Sequence, residues 1–252
     1  MTSTPRSALL IATGLCLAWL TAATAQAQTF SGEQRHEIEG IVKAYLLQHP
    51  EVMQDVMSEL EKRQQAAEAE KHRAAVVENK ATLFNSPHEV VLGNPHGDIA
   101  VVEFFDYNCA FCKRALPDMM NLLKANPNLK FVLKEFPVLG EGSVEAAHVA
   151  VAARMQDATG KKYIQFHQKL LGGRGQADLA RALAVAKEVG FDMTRIQKDM
   201  TSDEVKKTID EDMKLADALG VNGTPSYVIG DEVVVGAVGL DALKEKIAAE
   251  HK

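Results

Sequence analysis

Two cysteines separated by two residues, Cys109 and Cys112, stand where an apolar strand pattern gives way to a helical one. Ile99–Phe105 is almost wholly β-branched, apolar or aromatic, which predicts a central strand buried on both faces. Apolar spacing from 109 to about 125 predicts a helix, and Leu129–Phe136 predicts a second strand. The chain is therefore predicted to form a β-α-β unit with parallel strands, in which the cysteines open the connecting helix.

The predicted helix start gives this pair its chemistry. Asn108 is predicted to be the N-cap, which leaves Cys109 in a first turn whose free backbone N–H groups and dipole favour a thiolate. Cys112 faces the same side and is expected to lie deeper, where it can attack a mixed disulfide on Cys109. Two alternatives are half of a zinc site, which has the same cysteine spacing, and an inert pair with no chemical role. Only a redox role explains the strand–motif–helix placement, so no metal or other cofactor is expected.

The first 27 residues have the pattern of a secretory signal peptide. Arg6 is their only charge, and it precedes an apolar run from 8 to 20 and small residues that end near Ala27. A membrane anchor is the alternative, but the run is shorter than the roughly 20 residues of a spanning helix. A lipoprotein role for Cys16 is not expected, because the apolar run continues past it. We therefore expect a cleaved leader at 1–27 and export to an oxidising compartment.

Charge and composition exclude several classes of protein. Of 252 residues, 46% are apolar, which is ordinary for a globular protein and argues against long disorder or a fibrous repeat. The 28 Lys and Arg against 34 Asp and Glu leave no basic excess to neutralise phosphates, so no nucleic-acid partner is expected. Three cysteines are too few for a disulfide-stapled scaffold.

An N-terminal helical arm is predicted over residues 28–85. Two apolar stripes at helical spacing flank Pro50, which is well placed to begin the second helix. The stripes comprise Ile38, Ile41, Val42, Tyr45 and Leu46, then Val52, Met53, Val56, Met57 and Leu60. The segment from Glu61 to Ala81 favours helix but offers little to bury. This pattern predicts a protruding arm whose apolar first half pairs with another copy of the chain, the alternative being a helical extension packed on the body.

The catalytic body is predicted over residues 86–252. A short strand at Glu89–Leu92 precedes the β-α-β unit, and a helical insertion at about 141–201 follows it, within an almost wholly helical stretch that reaches about 220. Thr224-Pro225 then leads into a hairpin with a Gly-Asp turn and a final helix. The predicted hairpin strands and helix are Ser226–Ile229, Glu232–Val235 and Leu240–Glu250.

This arrangement resembles a known fold. A strand, Cys-x-x-Cys, a helix, a second strand and a distant Thr224-Pro225 before a hairpin resemble the thioredoxin fold, an α/β fold. The inserted helical block and the stretch Val101–Cys109 resemble its DsbA branch. With the N-terminal helical arm, the whole chain resembles periplasmic DsbA-like proteins of the suppressor-of-copper-sensitivity (ScsC) type.

The resemblance implies roles for five residues. It makes Cys109 the nucleophile and Cys112 the resolving cysteine. It makes Pro225 a cis-proline, with the backbone at Thr224 pairing with substrate peptide; a plain turn with a trans bond is the alternative. Glu103 corresponds to a buried acid that exchanges a proton with Cys112, the alternative being an edge-strand charge that faces solvent.

The resemblance also implies the activity, with one departure from the pattern. Ala110-Phe111 stands between the cysteines where the most oxidising members carry Pro-His. The preferred prediction is therefore a disulfide isomerase or reductase that acts on misfolded or disulfide-bonded secreted proteins. A membrane thiol reductase of the DsbD/ScsB type is the expected redox partner. The alternatives are a monomeric dithiol oxidase and, from another class, a copper-binding or chaperone module.

Overall fold

The computed structural model describes residues 30–250, so the predicted signal peptide at 1–27 lies outside the described residues. The chain divides into two compact units, the first ending at Ser58 and the second beginning at Glu59. The predicted arm, residues 28–85, thus extends beyond the first unit into the second. None of the helices among residues 30–250 has the length and apolar character that a membrane crossing requires.

The first unit consists of helix α1, Gly32–Gln48, and the first turns of helix α2, Pro50–Glu78. Ser31 caps α1 through a capping box with Gln34, and α2 begins at Pro50 as predicted. No residue of α1 is buried, and the predicted stripes are largely exposed. The exposed large apolar residues of this unit are Phe30, Ile38, Ile41, Val42, Tyr45, Leu47, Met53, Val56 and Met57.

The second unit begins within α2 and continues through helix α3, Lys80–Asn85. Val76, Leu83 and Phe84 are buried and belong to one apolar cluster with residues of the central sheet. The expectation that residues 61–81 offer little to bury is therefore wrong at their end. Val76 near the end of α2 and Leu83 and Phe84 of α3 are thus part of the core of the body.

A five-stranded mixed sheet forms the centre of this body. Its strands are β1 Val90–Gly93, β2 Ile99–Phe105, β3 Leu129–Glu135, β4 Ser226–Ile229 and β5 Glu232–Val235. They lie in the order β1-β3-β2-β4-β5, with β2 parallel to β3 and every other pair antiparallel. Strand β2 is central and buried from Val101 onwards, which confirms the predicted β-α-β unit. The first strand begins at Val90 and ends at Gly93, one residue later at each end than predicted.

Helices form both the connection between β2 and β3 and the insertion between β3 and β4. Helix α4, Ala110–Ala125, joins β2 to β3 and contains Pro117, and helix α10, Leu240–Ala249, follows the hairpin. Between β3 and β4 lie α5 Glu141–Arg154, α6 Lys161–Leu171, α7 Leu179–Val189, α8 Met193–Asp199 and α9 Asp203–Ala218. The predicted α/β class, with a thioredoxin-like core, a helical insertion and an N-terminal helical region, is confirmed.

A buried lysine joins three elements of this body and the segment before β1. Lys134 on β3 is fully buried, and its Nζ forms ion pairs with Glu89 and with Asp212 of α9, the latter at 3.2 Å. The same Nζ donates a hydrogen bond to the carbonyl of Thr82 on α3 at 3.0 Å. A buried charge of this kind is tolerated only when it is paired, so these contacts hold α3 and α9 against the sheet.

Candidate active site

The two cysteines lie at the N-terminus of α4, directly after the turn that ends the central strand. Both are free thiols, with Cys109 5% exposed and Cys112 fully buried, so Cys112 lies deeper as predicted. The Cys109 sulfur accepts a hydrogen bond from the backbone N–H of Cys112 at 3.4 Å. The helix terminus thus directs a free backbone donor and its positive dipole end at the outer sulfur.

The N-cap of α4 is Cys109 itself, so the prediction of Asn108 as the cap is wrong. Cys109 has extended backbone angles, and its own side chain accepts the capping hydrogen bond. The side chain of Asn108 is engaged elsewhere. It donates to Ser143 Oγ and to the Ala177 carbonyl, both at 2.9 Å, and accepts from the Ala177 N–H at 2.7 Å. Asn108 therefore fastens the active-site turn to the helical insertion.

The loop before β4 contacts the outer cysteine. The Thr224-Pro225 bond is cis, which confirms that prediction. The Cys109 thiol donates to the Thr224 carbonyl at 3.1 Å, although the two residues lie far apart in the sequence. An open cleft of about 360 Å³ lies beside this contact, lined by Phe111, Arg114, Asp118, Thr224, Gly236 and Ala237. Because Thr224 lines this cleft, the open space lies close to the Cys109 sulfur.

The helix positions after Cys109 shape this cleft. Phe111 is 53% exposed, and the Arg114 guanidinium lies over its ring at 4.3 Å, a cation–π contact. Lys113 donates to the Gly175 carbonyl at 3.2 Å. From the sequence alone, Lys113 and Arg114 are expected either to give Cys109 a positive environment or to lie on a solvated helix face. The structure gives both of them specific contacts instead.

Glu103 is buried in the central strand, so the prediction of a buried acid is confirmed and a solvent-facing edge is excluded. It stands opposite Tyr227 in the sheet, and the Tyr227 hydroxyl donates to its carboxyl at 3.5 Å. Burial raises the pKa of Glu103 from the ordinary 4.5 to about 8, and the tyrosine hydrogen bond offsets only part of this effect. At neutral pH the carboxyl holds a proton.

Glu103 also influences the inner cysteine. Burial raises the pKa of the Cys112 thiol, Glu103 raises it further, and a hydrogen bond from the Asp106 backbone acts in the opposite direction. Cys112 therefore does not ionise readily where it lies. With a pKa of about 8, Glu103 is ionised in only a minor fraction of the protein at neutral pH, and it is this carboxylate form that can accept the proton that Cys112 must lose.

Glu103→Gln is expected to raise stability at alkaline pH. An unfolded Glu103 loses its proton near pH 4.5 and the folded one near 8, so folding becomes less favourable as pH rises between these values. The neutral amide removes this penalty. We expect the variant to gain about 3–5 kcal/mol over the native chain between pH 4.5 and pH 8, measured by urea denaturation.

Glu245→Gln on the exposed side of α10 is the matched control for this experiment. It makes the same chemical change at the surface, and its denaturation midpoints should follow those of the native chain at every pH. If Glu103→Gln keeps the native dependence on pH, Glu103 does not hold its proton up to pH 8 in the folded state.

Sequence reasoning missed Asp106, a buried carboxylate three residues before Cys109. One of its oxygens accepts from the N–H groups of Val138 and Leu139, at 2.9 and 3.0 Å. The other accepts from the Asn108 N–H and the Ser143 hydroxyl, each at 2.7 Å. The available signal was a charged residue at the end of an apolar strand, directly before the motif.

Two family models match the chain, and one of them includes the site described above. The DSBA-like thioredoxin domain matches residues 100–248, which includes the cysteines, Glu103 and Pro225. The copper resistance protein ScsC N-terminal domain matches residues 34–67, in the predicted arm. The ScsC-type resemblance seen in the sequence is therefore confirmed for both parts of the chain.

Solved structures agree with these matches. A thioredoxin-like oxidoreductase from Silicibacter pomeroyi DSS-3 is 46% identical and covers 69% of this chain and 98% of its own, with a TM-score of 0.65. ScsC from Proteus mirabilis in a transitional conformation is 27% identical and covers 88% of this chain and 98% of its own, with a TM-score of 0.63.

Curated sequences give more distant matches. A Na(+)/H(+) antiporter NhaA 1 of Salinispora arenicola is 26% identical over 161 residues, which are 63% of this chain and 24% of that protein. This chain thus spans about a quarter of the length of the first curated relatives it matches. The family match covers more than half of the chain, and its residues form the fold and site described above. The chain therefore belongs to the DSBA-like thioredoxin family of thiol–disulfide oxidoreductases, and it carries an ScsC N-terminal domain.

Proposed function

We propose that this protein is a periplasmic disulfide isomerase and reductase that acts on misfolded or disulfide-bonded exported proteins. The observation that carries the proposal is the placement of Cys109, whose sulfur lies at a helix N-terminus, 3.1 Å from the Thr224 carbonyl, with Cys112 buried behind it. A nucleophilic thiol, a resolving thiol and a backbone docking edge meet at this point.

The proposed reaction starts with the Cys109 thiolate. It attacks one sulfur of a client disulfide, the client S–S bond breaks, and a client thiolate leaves while a mixed disulfide forms on Cys109. In reduction, the step runs through the fraction of the protein in which Glu103 is ionised: Cys112 gives its proton to that carboxylate and attacks the Cys109 sulfur. The second client thiolate then leaves and takes up a proton. The client gains two electrons, and the protein ends with a Cys109–Cys112 disulfide.

Isomerisation uses the same first step and a different second one. Another thiol of the same client attacks the mixed disulfide and releases the Cys109 thiolate, so no net oxidation or reduction takes place. When no client thiol is in reach, Cys112 attacks the mixed disulfide instead and releases the client. The motif dipeptide Ala110-Phe111 supplies no histidine to stabilise the reactive sulfur, which favours this cycle over that of a strong oxidant.

The exposed stripes of the first unit support assembly. Apolar surface that stays in water forgoes about 25 cal/mol for each Å² that a partner could bury. We propose that these stripes pair in a homotrimer or homodimer, so that several Cys109 sites serve one client. Oxidised Cys109–Cys112 pairs would be reduced again by a membrane thiol reductase of the DsbD/ScsB type, which supplies two electrons and two protons.

Refolding of a scrambled, fully oxidised client tests the proposal. Reduced protein spanning residues 28–252, at one-tenth of the client concentration, should restore native client activity over many turnovers. Cys109→Ala should restore none. If the protein oxidises a reduced client quickly but leaves the scrambled client unchanged, it is the dithiol oxidase, and the isomerase proposal is wrong.

A further inference from the structure

The cleft beside the reactive sulfur is bordered by a positive charge. Arg114 lies one helical turn after Phe111 on α4, and both side chains line the cleft together with Thr224. The carbonyl oxygen of Thr224 is 3.1 Å from the Cys109 sulfur. The guanidinium of Arg114 therefore borders the open space close to the sulfur that attacks the client.

An aromatic contact holds this charge in place. The central carbon of the Arg114 guanidinium lies 4.3 Å from the centre of the Phe111 ring. A cation–π contact of this kind uses no oxygen acceptor, so the N–H donors of the guanidinium remain available for hydrogen bonds. Because the side chain is already ordered over the ring, a ligand that binds it loses less affinity to side-chain ordering.

The described part of the chain supplies no carboxylate to Arg114. Among residues 30–250, the arginines that form an ion pair with a carboxylate are Arg63, Arg73, Arg154 and Arg195. Asp118 lines the same cleft without pairing with Arg114. Lys113, the neighbouring cation, is engaged by the Gly175 carbonyl at 3.2 Å. Arg114 is thus the cation of this cleft that can bind an anion from another molecule.

The two opposite charges of the cleft lie at different distances from the helix start. Arg114 is five residues after Cys109, the N-cap of α4, and Asp118 is nine residues after it. At 1.5 Å of rise per residue, these positions are roughly 7 Å and roughly 13 Å along the helix axis. A client side chain next to the attacked cysteine therefore meets Arg114, and Asp118 lies about one turn further away.

We propose that Arg114 is a specificity-determining residue, which favours clients that carry an aspartate or glutamate beside the cysteine under attack. The inference rests on the thiol–disulfide exchange proposed above and names its preferred class of client. The client carboxylate forms a bidentate ion pair with the guanidinium while the Cys109 thiolate approaches the client sulfur. Because only acidic clients form this pair, their kcat/KM rises relative to that of other clients.

Two peptides of identical composition test this preference. Each contains one cysteine in a disulfide with thionitrobenzoate, a coloured aryl thiol. The first has aspartate on both sides of the cysteine and asparagine at both ends, and the second has these residues exchanged. In the reduced protein, residues 28–252, the Cys109 thiolate attacks the peptide sulfur and the aryl thiolate leaves. Cys112 then loses its proton and attacks the Cys109 sulfur, and the peptide thiolate leaves and takes up a proton. The protein loses two electrons, and the peptide disulfide gains them.

The measured quantity is a selectivity ratio. It is the second-order rate constant of colour release from the peptide with adjacent aspartates, divided by the rate constant for its isomer. A general change in the reactivity of Cys109 affects both peptides equally and cancels in this ratio. At low salt, Arg114→Gln should lower the ratio about five-fold, the effect of one partly exposed ion pair. Concentrated salt should reduce the difference between the native protein and the variant.

Lys124→Gln is the matched control, because it removes one positive charge from the last turn of the same helix, where Lys124 is exposed. Its selectivity ratio should equal that of the native protein. An unchanged ratio in Arg114→Gln, or an equal fall in Lys124→Gln, would overturn the inference and leave the dithiol chemistry intact. If the native protein releases colour from neither peptide, the proposed function fails and the inference fails with it.

Discussion

Cys112→Ala is expected to accumulate stable mixed disulfides with clients through Cys109, whereas Cys109→Ala is expected to accumulate almost none. The first variant keeps the sulfur that lies at the helix start beside Thr224 and loses the group that resolves the intermediate. The second keeps only a fully buried thiol whose pKa is raised by burial, which leaves it a poor nucleophile. Disulfide exchange in Cys109→Ala should fall by about a thousand-fold or more.

Non-reducing electrophoresis of each variant after reaction with a disulfide-bonded client measures this difference. Digestion and mass spectrometry should place the client cysteine on residue 109. A double variant with both cysteines replaced is the control for contaminating thiols and should form no adduct. Equal amounts of adduct from the two single variants would contradict the assignment of roles.

Two charges on the exposed stripe of α1 are expected to dissociate the assembly. Ile41 is 68% exposed and Tyr45 52%, and neither belongs to a buried core cluster, so replacing them leaves the core of a single chain intact. Glutamate at both positions would bring like charges together at the proposed interface and remove its apolar contacts. The combined variant Ile41→Glu, Tyr45→Glu should be a monomer at ten micromolar by light scattering, where the native protein should have two or three times the monomer mass.

The combined variant Gly40→Glu, Ala44→Glu provides a control with the same change in net charge and the same spacing along the helix. Helical spacing places both positions on the other side of α1 from the stripe, and both are exposed. This variant should keep the native mass. A native chain that is already monomeric, or a control variant that dissociates to the same extent, would rule out assembly through this stripe.

Much of the fold was predictable because local patterns and long-range structure agree in this chain. The unbroken apolar run Ile99–Phe105 has one natural place, the centre of a sheet, and the cysteine motif marks the end of that strand. The hairpin strands Ser226–Ile229 and Glu232–Val235 were predicted to the residue, because Gly230-Asp231 defines the turn between them. The resemblance to the DsbA branch implied that Glu103 is a buried acid, and its position inside the apolar run supported this prediction.

What the sequence did not reveal depends on contacts between distant segments. The sequence predicts that Lys134 is a surface charge on a strand. Only the folded chain places Glu89 and Asp212, from distant segments, beside it. Asp106 and Asn108 read as turn and cap residues, but Ser143 and Ala177 approach them from the insertion. Val76 reads as a minor apolar residue in a polar helix until the sheet packs against it. The spacing of residues along the chain does not indicate these long-range contacts.

The rate of isomerisation for each Cys109 site tests the central claim most directly. It is measured as turnovers of a scrambled client per site, in the native chain and in the Ile41→Glu, Tyr45→Glu variant, with reaction against glutathione disulfide as the measure of intact thiol chemistry. We predict that the variant reacts with glutathione disulfide at the native rate and loses at least about ten-fold in isomerisation, because separated sites lose their shared client. Equal isomerisation by the native chain and the monomeric variant would contradict the claim that the arm makes this dithiol site an isomerase.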